Sequence, residues 1–107
     1  MTKVEFFTQE DKITGFCVSG HSGYGEEGTD IVCAAVSTAV NMAEATVNQV
    51  LGIRAKTRVN ADEARVTLTL PASSYEDEAA QAVLAGMMLT LCDLRDEYPD
   101  YIEVLEV

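Results

Sequence analysis

Apolar and polar positions recur along this chain with two different periods, and the changes of period divide it into elements. Lys3 to Gln9 alternates loosely, Glu10-Asp11-Lys12 interrupts the pattern, and Ile13 to Ser19 resumes it. That is the pattern of two short strands joined as a hairpin. A glycine-rich segment follows. From Asp30 the period becomes helical, with Ile31, Ala35, Val36, Ala39, Val40, Ala43, Val47, Val50 and Leu51 at spacings of three and four, and Gly52 placed to stop the helix. Ile53 to Val59 and Ala64 to Leu70 return to strand-like alternation around the turn-rich Asn60-Ala61-Asp62-Glu63.

After Pro71-Ala72, Ser73 or Ser74 is suited to cap a second helix. Glu76, Asp77 and Glu78 then fall where acidic groups complement the helix dipole. Its apolar stripe is Ala80, Val83, Leu84, Met87, Met88, Leu91 and Leu94. Tyr98-Pro99-Asp100 ends this helix, and Tyr101 to Val107 reads as a closing strand. The order ββαββαβ lacks the regular alternation of a doubly wound fold. It predicts an α+β architecture, with a mixed, mostly antiparallel sheet and two helices packed against it.

Composition narrows the picture. A chain of 107 residues with 48% hydrophobic content is sized for one domain, here residues 1–107, around one core. The first residues lack the basic segment, apolar core and cleavage site of a secretory signal, and no run reads as a membrane span, so a cytoplasmic protein with no membrane partner is expected. Three cysteines, an odd number without Cys-x-x-Cys spacing, argue against a disulfide framework and a zinc ribbon. A net charge of −11 disfavours direct binding to nucleic acid and favours a basic partner, although excess acid also simply keeps small proteins soluble.

The segment from Gly20 to Ser37 holds the single histidine, His21, four of the seven glycines, and Cys33 at the head of an apolar run. Gly23-Tyr24-Gly25-Glu26-Glu27-Gly28 matches G-x-G-x-x-G, but two carboxylates inside the motif would face a pyrophosphate, and the preceding strands form a hairpin instead of a parallel βαβ unit. A metal site would need His21, Glu26, Asp30 and Cys33 to converge without any recognised ligand spacing, so neither metal nor cofactor is expected. Two readings stay open. In one, the loop is a plain connection and Cys33 a small buried hydrophobe.

In the other, Thr29 or Asp30 caps the helix and Cys33 falls in its first turn, where unpaired N–H groups favour a thiolate. His21, at the end of the second strand, then takes the thiol proton. Asp30, three residues before Cys33, and Ser37, four after it, share its helix face. Asp30 suits either orientation of His21 or a plain helix cap, and Ser37 either a hydrogen bond to the thiolate or one to its own backbone. Cys17 and Cys92 lie among apolar neighbours with no such setting and read as core.

The ordered set Gly20-His21, Gly23, Gly28 and Asp30-Ile31-Val32-Cys33-Ala34-Ala35-Val36-Ser37 resembles the signature of the bacterial ribosomal-processing cysteine proteases. The resemblance implies an endopeptidase that trims an N-terminal extension, ending in a Phe-Phe-containing motif, from a large-subunit ribosomal protein. It further implies a homodimer, with Cys33 as nucleophile, His21 as base, and Asp30 and Ser37 in support; independently of the resemblance, Gly20, Gly23, Gly25 and Gly28 suit a loop that moves to admit a peptide and then closes. A ribosomal protein is basic, which gives the acidic charge a steering role. The competing class is a non-enzymatic acidic module that binds a basic ribosomal or assembly protein.

Overall fold

The computed structural model describes residues 1–20 and 29–107. Strands β1 (Thr2–Gln9) and β2 (Lys12–Ser19) form the first hairpin, helix α1 (Thr29–Glu44) follows, then β3 (Lys56–Asn60), β4 (Arg65–Thr69), helix α2 (Glu78–Glu97) and β5 (Ile102–Glu106). The sheet order is β3-β4-β2-β1-β5. All pairings are antiparallel except that of β1 with β5. The expected α+β arrangement and element order are therefore present.

Register explains the core. Phe6 lies opposite Phe16, Phe16 opposite Leu68, and Val4 opposite both Val18 and Val104, so one sheet face carries the large apolar residues. The Phe6 and Phe16 rings are tilted at 52° with centroids 6.1 Å apart, within the range of favourable aromatic pairs. Against this face α1 lays Val32, Val36, Val40 and Ala43, the helical segment beyond it adds Val47, and α2 lays Ala80, Leu84, Met87 and Leu91. Gln81 fastens α2 to the sheet: its amide donates to the Ile13 carbonyl at 2.8 Å and accepts from the Ile13 N–H at 2.9 Å.

Four local expectations change. First, α1 does not close at Glu44 but continues as a π-helical segment, Ala45–Val50, in which the Leu51 N–H reaches the Thr46 carbonyl at 2.9 Å. Gly52, with φ +66°, then reverses the chain as its position suggested. The wider turn presents Asn48 to the outgoing chain: its side-chain oxygen accepts from the Ala55 N–H at 2.6 Å. Bonds from Ile53 and Ala55 back to this helix end, with Arg54 at φ +63°, explain why β3 begins at Lys56 and not at Ile53.

Second, neither Ser73 nor Ser74 caps α2. The Ser74 hydroxyl is committed to the Pro71 carbonyl at 2.8 Å within a 3-10 turn, and Asp77 caps instead, accepting from the Ala80 N–H at 2.8 Å. Third, Cys92 is only half-buried. It lies beside Arg95, whose charged form is reinforced chiefly by its hydrogen bond to Asp96 and, to a smaller extent, by Cys92. Fourth, Ile31–Val50 is long and apolar enough to cross a membrane, contrary to the reading that no run is; only 28% of its most apolar window is buried.

Candidate active site

Chain direction puts the two ends of the glycine segment at the same end of the sheet. β2 finishes at Ser19, beside Lys3 of β1 and Arg65 of β4. The opposite end of the sheet is where β2 begins, next to the Glu10-Asp11 turn, and where β3 enters, since Lys56 pairs with Thr69 and Thr69 with Gly15. The helix that starts with α1 delivers the chain to that opposite end. Its N-terminus, with Cys33, therefore lies at the end of the molecule where β2 stops.

Gly20 sets the departure from β2. It adopts φ +81°, and a Cβ placed on it would stand 2.6 Å from the Met1 carbonyl oxygen. Both the left-handed backbone and the close approach require glycine. Gly20 is thus a tight pivot that turns the chain directly into His21. His21 itself, with Gly23, Glu26, Gly25 and Gly28 of the expected loop, lies outside the described residues.

Cys33 is half-buried and takes part in no disulfide. Helix α1 begins at Thr29, so Cys33 opens its second turn and does not lie in the first. Its own N–H is then inside the helical ladder, and the dipole acts on it less than on a first-turn residue. Asp30 and Ser37 are both on α1, and Ser37, four residues after Cys33 and on its face, is exposed. Among the described residues no group of three or more His, Cys, Asp or Glu side chains could hold a metal ion.

The three cysteines separate by setting. Cys17 is 5% exposed in the middle of the sheet, with the Thr67 hydroxyl 3.5 Å from its sulfur. It fits the core role expected of it. Cys33 and Cys92 are both accessible in part, but only Cys33 stands at the start of a helix, one loop away from a histidine in sequence.

Charge around β3 and β4 is a feature that sequence reasoning missed. Arg54, Lys56, Arg58 and Arg65 are four of the seven cations of the chain. Arg58 and Arg65, with Asn60, Asp62 and Thr67, line an open depression of about 570 Å³ at the β3–β4 turn. Arg65 pairs in register with Ser19, so this basic spot adjoins the strand that leads to His21. The available signal was the clustering of cations between positions 54 and 65 in an otherwise acidic chain.

This architecture recurs in solved structures. It matches SMU.848 from Streptococcus mutans with a TM-score of 0.91 at 23% identity, covering 100% of this chain and 94% of that one. It matches the essential ribosomal processing protease Prp from S. aureus, in complex with a substrate peptide, with a TM-score of 0.87 at 21% identity and full coverage of both chains. These likenesses define the fold class. The sequence defines the family: residues 1–103 match the model described as cysteine protease Prp. This chain belongs to that family and is a cysteine protease. It is similar to the ribosomal processing cysteine protease Prp of Bacillus subtilis (strain 168), at 30% identity over 95 residues, covering 86% of this chain and 84% of the relative. The corresponding protease of Staphylococcus aureus (strain Mu50 / ATCC 700699) is 28% identical over 96 residues, covering 89% and 88%.

Proposed function

We propose that this protein is an endopeptidase that removes a short N-terminal extension from a large-subunit ribosomal protein through a Cys33–His21 dyad. The observation that carries the reading is the family match over residues 1–103, combined with a half-buried Cys33 at the same end of the sheet as the Gly20 pivot into His21. The named relatives are ribosomal processing proteases, which supports a ribosomal protein as the substrate here. The acidic charge of −11 supports a basic one, drawn in by long-range attraction. The cut follows an aromatic pair in the substrate, the protein works as a homodimer, and its compartment is the cytoplasm.

In this mechanism His21 takes the Cys33 proton, and the thiolate attacks the scissile carbonyl. The tetrahedral intermediate collapses as His21 protonates the leaving amine, leaving a thioester on Cys33. Water, deprotonated by His21, then releases the acyl fragment as a carboxylate and restores the thiol. Asp30 orients His21, and Ser37 donates a hydrogen bond toward the sulfur or the substrate. The glycines at 23, 25 and 28 let the loop open for a peptide and close over it.

The test is mass spectrometry of the native, Cys33→Ala and His21→Ala proteins, each incubated with a peptide copying the extended N-terminus of the same organism's ribosomal protein. Cleavage at one bond after the aromatic pair, by the native protein alone, is expected. If all three leave the peptide intact while Cys33→Ala binds it, an acidic binding module replaces the protease.

A further inference from the structure

Phe6, Phe16 and Leu68 mark the sheet face that the two helices cover. The alternate residues of each strand point the other way, and register gathers cations on that second face. Arg65 and Lys3, both opposite Ser19, stand in its last row before Gly20, Arg58 in the next row and Lys56 in the third. All four are exposed, so this face is open. They are four of the seven cations in a chain that holds 18 carboxylates. Between Glu44 and Asp62 the only charged residues are Arg54, Lys56 and Arg58.

Their partners are as unusual as their placement. The ion pairs among the described residues are Lys12 with Glu76, Arg65 with Glu63 and Arg95 with Asp96. Lys3, Lys56 and Arg58 therefore carry no ion pair among these residues, in a chain where carboxylates are abundant. Arg58 and Arg65 instead flank the depression of about 570 Å³, where Asn60 and Thr67 add neutral donors. The carboxylates nearby are Asp62 and Glu63 in the turn, and Glu5 and Glu103 on the half of the face away from β3.

We propose that this face docks the phosphate backbone of RNA. Arg forks and Lys ammonium groups are the side chains that neutralise phosphates, and here they spread over three strand spacings, about 14 Å. The choice of RNA over an acidic protein rests on the ribosomal reading above: a substrate that is basic and held on RNA presents both signs of charge, and this chain meets it with both. A net charge of −11 opposes nucleic acid at long range. The contact is accordingly weak and salt-sensitive, and it gains force when the protein substrate holds RNA and protease together. Arg65 stands in the row that ends at Gly20, so RNA on this face lies beside the chain leading to His21.

Fluorescence anisotropy of a labelled single-stranded RNA of mixed sequence, titrated with protein over a salt series, tests the proposal. For three phosphates neutralised, the slope of log K against log salt is expected near about −2. Lys56→Ala and Arg58→Ala should each weaken binding about 5-fold and flatten the slope by about 0.7, with unchanged circular dichroism. Asp62→Asn should tighten binding, an effect that loss of folding cannot imitate. Glu10→Gln and Lys12→Ala, which change the charge equally at the opposite end of the sheet, should do much less than their counterparts on the basic face.

No binding by the native protein at low salt would overturn the proposal, as would changes that follow net charge wherever it is altered. Competition by poly-glutamate as effective as that by RNA, charge for charge, would assign the face to an acidic protein instead. Slower cleavage of the free peptide by Arg58→Ala would assign it to the peptide itself. RNA binding is read without peptide: RNA binding without cleavage sinks the protease reading, and cleavage without RNA binding sinks the docking surface alone.

Discussion

The two edges of helix α1 each lie one residue step from its buried stripe and differ in what continues them. Val32, Val36, Val40 and Ala43 form the stripe buried on the sheet. Cys33 follows Val32 and Ala35 precedes Val36, so each sits about 100° round the helix from a buried valine, on opposite sides. The Cys33 edge continues into the polar, exposed Ser37, whereas the Ala35 edge continues into Met42 and an apolar groove between the helices. One stripe supplies stability, and the proposed dyad would use the edge on the Cys33 side of it. The comparison teaches that burial alone does not distinguish the edges: Cys33 and Ala35 are both half-buried, and only what lies further round the helix tells them apart.

Substitutions that touch one of these three strips should move one property and spare the others. The largest effect is expected at Cys33→Ala, which should lower peptide cleavage at least about a thousand-fold while shifting urea-unfolding stability by less than about 1 kcal/mol. A large stability loss would place Cys33 with the stripe. Next is the packing beneath it: Phe16→Ala, at a residue with no exposure, should cost about 3–5 kcal/mol in the same unfolding measurement. Val36→Ala, on the stripe itself and 3% exposed, should cost about 2 kcal/mol. If it costs nothing, α1 is held by its edges and not by its stripe.

Smaller effects sharpen the picture at the element ends. Gly20→Ala must place a Cβ against the Met1 carbonyl at positive φ, and about 1–3 kcal/mol of stability should be lost. Its cleavage rate should fall further than that of a core variant of equal stability, because the pivot leads into His21. Asp77→Ala removes the α2 cap bond to the Ala80 N–H and should cost about 1 kcal/mol by thermal or urea unfolding. Neither change reaches the Cys33 edge directly.

Much of the architecture was legible because its causes are periodic. The switch from alternating to helical spacing at Asp30, the clean alternation of Val66, Leu68 and Leu70, and Gly52 after the helix all report local chain geometry, and the structure follows them. What escaped depends on competition between neighbours. Ser74 has the chemistry of a cap, but a 3-10 turn after Pro71 claims its hydroxyl, and Asp77 takes the role. The late start of β3 goes with Asn48, presented by the π segment, binding Ala55, a contact that spacing does not reveal. The reading of Cys92 as core failed because its helix position borders Arg95 and solvent.

The site was legible in a different way. Composition and spacing left Cys33 open between nucleophile and core hydrophobe, and the ordered motif from Gly20 to Ser37 decided for the protease family. The placement of Gly20 and Cys33 at one end of the sheet agrees with that motif. The basic depression at Arg58 and Arg65 was not legible from a net charge of −11, which averages away the local cluster of cations between positions 54 and 65.

The measurement that bears most directly on the account is the rate at which iodoacetamide alkylates each cysteine, read by peptide mass spectrometry in the native and His21→Ala proteins. Cys17, buried within the sheet, is the internal reference. The account predicts that Cys33 reacts much faster than Cys17 and Cys92 near neutral pH, and that His21→Ala removes the advantage over Cys92. Three thiols reacting at rates ordered by exposure alone, unchanged by His21→Ala, would contradict the dyad.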